Sequence, residues 1–181
     1  MNMRCELESI VVIGDDEAKI KCVFIEVICA LHKYNWAGAC HASTVFMFIL
    51  LKELEVDVQM CTGWIKCDKA VFGHSWLEYK KLPIDAAVSL GNVMSFPPIF
   101  LGKSVLKNQS LQLEYTYGYR WKEKLESPMD TLSREPLGSF LAEFPEPLWL
   151  FFHKIAKELG LTLKKESLIE KYFYSMWEVK N

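Results

Sequence analysis

No sign of charge dominates this chain of 181 residues: 21 Lys and Arg stand against 23 Asp and Glu, a formal net charge of −2. A dedicated nucleic-acid binder carries a basic surplus, so nucleic acid is not expected as a partner. Long apolar runs are missing as well. The longest unbroken one, Val45 to Leu51, is too short to span a bilayer, and no membrane partner is expected. Arg4, Glu6 and Glu8 stand where a secretory signal would carry its apolar stretch, so the expected location is the cytoplasm. Repeats, low-complexity tracts and linkers are also lacking. Hydrophobic residues at 51% and charged residues at 24% exclude wholesale disorder. Residues 1–181 are expected to form one domain around one core.

Cysteine is present but thinly spread. Cys5, Cys22, Cys29, Cys40, Cys61 and Cys67 are too sparse for a disulfide scaffold and are expected as free thiols, most of them buried. Cys61 and Cys67 lie six residues apart, which is not the spacing of a zinc knuckle, so no metal is expected. No cofactor is expected either.

What is there begins with an amphipathic helix from Asp15 to Tyr34, its face set by Ile20, Val23, Phe24, Val27, Ile28 and Leu31. The turn-like Asn35-Trp36-Ala37-Gly38 ends it. A second helix, from Ala39 or Cys40 to Leu54, is apolar almost all round, which marks a helix buried on every side. Strands are expected over Val56–Ile65, Val71–Tyr79, Leu82–Leu90 and Leu111–Tyr119, with a turn at Lys80-Lys81 and a loop over Asn92–Gly102. Pro147 opens a further helix, and the capping-box pattern Ser167-Leu-Ile-Glu170 opens another. The order is α+β, with a buried central helix against an antiparallel sheet and a helical C-terminal tail.

Cys40 opens the buried helix, where unpartnered N–H groups and the positive end of the dipole favour a thiolate. Those same N–H groups suit a developing oxyanion. On the second strand His74, Trp76 and Glu78 share one face. With Lys80-Lys81 as a two-residue turn, Tyr79 faces Leu82 and Asp85 falls opposite Trp76, diagonal to His74. Such a diagonal spans about 7–8 Å between Cα atoms, within reach of a carboxylate that orients an imidazole. A register shift of one residue would put Asp85 on the other face. Cys40, His74 and Asp85 thus form a candidate nucleophile, base and orienter. His41 adjoins the cysteine, but helix neighbours diverge by about 100°, so it is not expected as that cysteine's base. His32 and His153 lie on helices and are expected at the surface or partly buried. Glu78 reads as a solvated strand carboxylate.

Gly38-Ala-Cys40-His-Ala-Ser-Thr, then Gly73-His74-Ser-Trp76-Leu-Glu78, then Ile84-Asp85 resemble the transglutaminase-like superfamily, a circularly permuted relative of the papain-type fold. The resemblance covers about Tyr34 to Ala87. Its most specific part is the His-Ser-Trp-x-Glu string. It implies Cys40 as nucleophile, His74 as base and Asp85 as orienter, among members that include protein-crosslinking enzymes, cysteine peptidases, arylamine acetyltransferases and the leader peptidases of lasso-peptide biosynthesis. Asn35 and Trp36, just upstream of the cysteine, are the side-chain candidates for an oxyanion donor, with Asn35 preferred and the Tyr34 hydroxyl as an alternative, beside the backbone N–H of Cys40.

The expected activity is thiol-dependent acyl transfer on a peptide or amide-containing substrate. Hydrolysis is favoured over crosslinking, because no acceptor or calcium module is recognisable. The alternative is a binding module that keeps the fold without turnover, signalled by Trp36 or Trp76 filling the space between Cys40 and His74. A structural zinc or redox domain is the third reading. Oligomeric state is left open by the sequence, and so is the role of the aromatic-rich stretch from Asn92 to Pro145.

Overall fold

The computed structural model describes residues 3–67, 70–105, 115–122 and 124–181. A short helix α1 (Met3–Glu8) leads into α2 (Asp15–Lys33), and the central helix α3 (Cys40–Glu53) follows. Asp15, Asp16 and Glu17 sit in the first turn of α2, against the positive end of its dipole. Its stripe Ile20, Val23, Phe24, Val27, Ile28 and Leu31 is buried, as the three-and-four spacing requires. Every residue of α3 from Ser43 to Leu51 is buried, so this helix is packed on all sides.

Against α3 lies a sheet in the order β3-β2-β1-β6, built from β1 (Gln59–Cys67), β2 (Ala70–Tyr79), β3 (Leu82–Ile84) and β6 (Thr116–Tyr117). These four are antiparallel. A last strand, β7 (Glu178–Lys180), runs parallel to β1 over Cys61–Gly63, on the edge that β6 uses at Ile65 and Lys66. Gly63 makes this possible, since a Cβ there would collide with the carbonyl oxygen of Lys180. The small hairpin of β4 (Ile99–Phe100) and β5 (Lys103–Ser104) stands apart from the main sheet. The C-terminal part is helical: α4 (Met129–Arg134), α5 (Leu137–Ala142), α6 (Glu146–Glu158) and α7 (Lys165–Tyr172). Among the described residues no helix is long and apolar enough to cross a membrane.

Several expectations need correction. The third strand ends at Ile84 rather than Leu90, and Ala87–Leu90 is a 3₁₀ turn. Two side chains make that turn. Asp85 accepts the N–H of Val88 at 3.1 Å, and the Ser89 hydroxyl donates to the carbonyl of Ala86 at 2.7 Å. Such local bonds offer the backbone an alternative to a sheet ladder. Of the expected strand Leu111–Tyr119, residues 111–114 lie outside the described residues, and Thr116–Tyr117 is the strand. Ser167 does not open a helix, because α7 begins two residues earlier at Lys165 with no side-chain cap. The loop expected over Asn92–Gly102 contains β4.

Candidate active site

The site is built where a helix start, an incomplete strand pair and a turn converge. Gly38 has φ +70°, a conformation that favours glycine, and its N–H donates to the carbonyl of Leu90 at 3.1 Å. That bond ties the entrance of α3 to the 3₁₀ turn. Cys40 is the first residue of the helix. The first-turn N–H groups have no intrahelical acceptor, and no side chain caps them.

His74 lies on β2 opposite Gly63 and is only 7% exposed. The hairpin pairs Tyr79 with Leu82, Glu78 with Pro83 and Leu77 with Ile84, in the register expected from a two-residue turn. Beyond Leu77 the third strand departs, and Asp85 pairs instead with Ile99 through backbone bonds of 2.8 and 3.0 Å. Its side chain nevertheless stays with His74. Nε2 of His74 lies 3.0 Å from Oδ1 and 2.9 Å from Oδ2 of Asp85, which is 2% exposed. The same carboxylate accepts the Val88 N–H at Oδ1 and, at Oδ2, the Tyr117 hydroxyl at 2.9 Å. His32 Nε2 bonds the Ser89 hydroxyl at 3.0 Å and anchors this turn to α2. A buried carboxylate with three partners is fixed in place, and so is the imidazole it holds. Because Nε2 faces Asp85, Nδ1 is the ring nitrogen left for the thiol.

Electrostatics separates Cys40 from the other thiols. Burial alone would push its pKa up. The charge of His74, with hydrogen bonding from His41 and His74, outweighs that and holds the thiol well below the usual cysteine range. Burial would likewise push His74 down, but the charges of Asp85 and Cys40 hold it above the usual histidine range. The favoured state is therefore thiolate beside imidazolium. Cys61 shows the opposite: buried, with Glu78 nearby, its thiol is pushed up and stays protonated. Burial also raises Tyr117, with the Asp85 charge adding to it, so that hydroxyl remains a donor.

Cys40 and His74 line one cavity of about 400 Å³. Its walls are otherwise almost wholly apolar, with Val71, Phe72, Val88, Met94 and Phe96 among them, and the rings of Phe72 and Phe96 stack at 5.6 Å. Neither Trp36 nor Trp76 lines it. Trp76 is fully buried, its ring 4.9 Å from that of Tyr117, and Trp36 packs on Phe46 and Phe151. Asn35 and Trp36 line a separate groove with Pro147 and Leu148, away from the thiol.

His41, whose Nδ1 is engaged by the Ser75 hydroxyl at 2.7 Å, adds to the lowering of the Cys40 thiol. One residue stands differently from its reading in sequence. Glu78 is not solvated: it takes bonds from Trp76 Nε1 at 3.3 Å and Lys180 Nζ at 2.9 Å. Two further residues, Tyr117 and Asn92, were not singled out for the site. Tyr117 sits in the Tyr-Thr-Tyr-Gly-Tyr stretch, whose alternation signalled a strand but not a partner. Among the described residues, no group of three or more His, Cys, Asp or Glu side chains is arranged to hold a metal ion.

Compared with protein-family models, curated proteins and solved structures, the chain matches none.

Proposed function

We propose that the protein is a thiol-dependent acyl-transfer enzyme of transglutaminase-like, papain-related fold, acting chiefly as a hydrolase of peptide or amide bonds. The observation that carries this reading is that His74, held by the buried Asp85 carboxylate, lines one cavity with Cys40 at the start of the central helix.

The chemistry follows from that arrangement. The Cys40 thiolate attacks the substrate carbonyl carbon, a C–S bond forms, and the carbonyl π electrons move onto oxygen. The open N–H groups at the start of α3 face that oxyanion. As the tetrahedral adduct collapses, the C–N bond breaks and the His74 imidazolium gives its proton to the departing amine. Neutral His74 then takes a proton from water, which attacks the thioester. The acid leaves, and the thiolate and imidazolium are restored. An amine in place of water gives transfer instead of hydrolysis. Asp85 acts throughout by holding the ring and its charge.

The test is intact-mass detection of an acyl group on Cys40 after mixing with p-nitrophenyl acetate, alongside turnover of a peptide mixture. Acylation and turnover are expected in the wild type and absent in Cys40→Ala. His74→Ala should slow both by about 10²- to 10⁴-fold. Turnover that survives Cys40→Ala overturns the proposal. A wild-type protein that never acylates is a binding module instead.

A further inference from the structure

We infer that Asn92 supplies the side-chain donor of the oxyanion site, working with the backbone N–H of Cys40. This rests on the acyl-transfer reading and assigns a residue that the reading does not require.

Asn92 lies just beyond the 3₁₀ turn and lines the same cavity as Cys40 and His74. Its amide is set edge-on against Gly38, two residues before the thiol. A Cβ built at position 38 would lie 2.7 Å from Cγ and 2.5 Å from Oδ1 of Asn92, and would also collide with Nδ2. Nδ2 and Oδ1 lie nearer to that Cβ than Cγ does, so the amide meets the glycine with its polar edge. Gly38 is thus a seat for this amide as well as a left-handed turn residue.

The placement is held from both ends. The Gly38 N–H bonds the Leu90 carbonyl, and Phe96 N–H donates to the Val88 carbonyl at 2.9 Å, so the segment carrying Asn92 is fastened on either side. Asn92 is exposed, and among the described residues its amide makes no hydrogen bond to the protein. An uncommitted N–H₂ group beside the start of α3 is a donor of the kind a tetrahedral oxyanion requires. Asn35 and Trp36 line another groove, with Pro147 and Leu148.

The test exploits two reactions of the same thiol. Acetylation by p-nitrophenyl acetate passes through an oxyanion, whereas alkylation by iodoacetamide displaces iodide at carbon and develops none. Asn92→Ala should slow Cys40 acetylation by about 10²- to 10³-fold, the usual cost of one lost oxyanion donor. Alkylation at neutral pH should stay within about twofold of wild type. Asn92→Gln, which keeps the amide, should recover part of the acetylation rate. Unchanged acetylation in Asn92→Ala overturns the inference. So does a parallel fall in both reactions, which would mean that Asn92 only shapes the thiolate's surroundings. Wild-type Cys40 that alkylates rapidly but never acetylates overturns the acyl-transfer reading itself, and is distinguishable from either.

Discussion

The Tyr117 hydroxyl donates to Oδ2 of Asp85 at 2.9 Å, joining residues 32 positions apart in the chain. Tyr117 comes from β6, which pairs with β1, whereas Asp85 follows β3 at the other side of the sheet. The bond therefore reaches across the face that carries His74 and Trp76. Removing the hydroxyl leaves a buried carboxylate short of one partner, a loss of about 1.5–3 kcal/mol for a hydrogen bond to a charged group. Tyr117→Phe should lower the unfolding free energy by about that amount in urea titration. It should also slow acyl transfer several-fold, because the imidazole is less firmly held. Unchanged stability would mean that water replaces the hydroxyl without loss.

The thiolate–imidazolium state sets a pH window. With Cys40 lowered to about 5 and His74 raised to about 10, both charges exist together between those values, whereas an ordinary cysteine and histidine are both mostly neutral at about pH 7.5. The iodoacetamide rate at Cys40 should therefore be flat through that range and fall only at lower pH, as the thiolate protonates. Peptide mapping should show Cys40 labelling at about pH 6, far ahead of Cys61, whose pKa moves up. In His74→Ala the stabilising charge is gone, and the labelling curve should move up toward the ordinary cysteine range near 8.5. A curve unmoved by His74→Ala would assign the lowered pKa to His41 and the helix instead.

Asp85→Asn removes a charge that raises His74. The imidazolium should then lose its proton at lower pH, so the alkaline limb of the rate profile moves down toward the usual histidine value of about 6.5. At neutral pH acyl transfer should fall by about 10²- to 10⁴-fold. An alkaline limb that stays in place would show that the carboxylate positions the ring without setting its charge.

Much of this site was legible in the sequence, because its parts depend on local rules. The all-apolar run after Cys40 fixes a buried helix beginning at that residue, and Lys80-Lys81 fixes the pairing of Tyr79 with Leu82. Asp85 reaches His74 by a route that the hairpin pairing does not encode. The strand ends one residue before it, and the carboxylate meets the ring from a turn it helps to make. Tyr117, Asn92 and β7 were not legible for a different reason. Each is placed by pairing with distant residues, Ile65 for Tyr117 and Cys61–Gly63 for β7, or by filling the space a glycine leaves, as Asn92 does at Gly38. No local periodicity encodes such a meeting. Asn35 and Trp36 stand close to Cys40 in sequence, yet both line another groove, and Asn35 has a left-handed backbone.

The lining of the cavity predicts which acyl groups react. Apart from Cys40, His74 and Asn92, the described residues around it present backbone or apolar side chains, and the one cation, the His74 imidazolium, is already paired with Asp85 and the thiolate. At about 400 Å³ it has the size of a small-ligand pocket. A methylene buried there gains at most about 0.8 kcal/mol, roughly fourfold in rate constant. The cleft is open on one side, so four added methylenes should give less than the full product. From p-nitrophenyl acetate to the hexanoate, kcat/KM for Cys40 acylation should therefore rise by about 10- to 100-fold. The mono-succinate ester should react more slowly than the acetate, since its carboxylate would enter an apolar site without a partner. Phe96→Ala removes one of the two stacked rings and should flatten the gain with chain length, leaving the acetate rate nearly unchanged. Equal rates for acetate, hexanoate and succinate would place the acyl group outside this cavity, on the solvent side of Cys40.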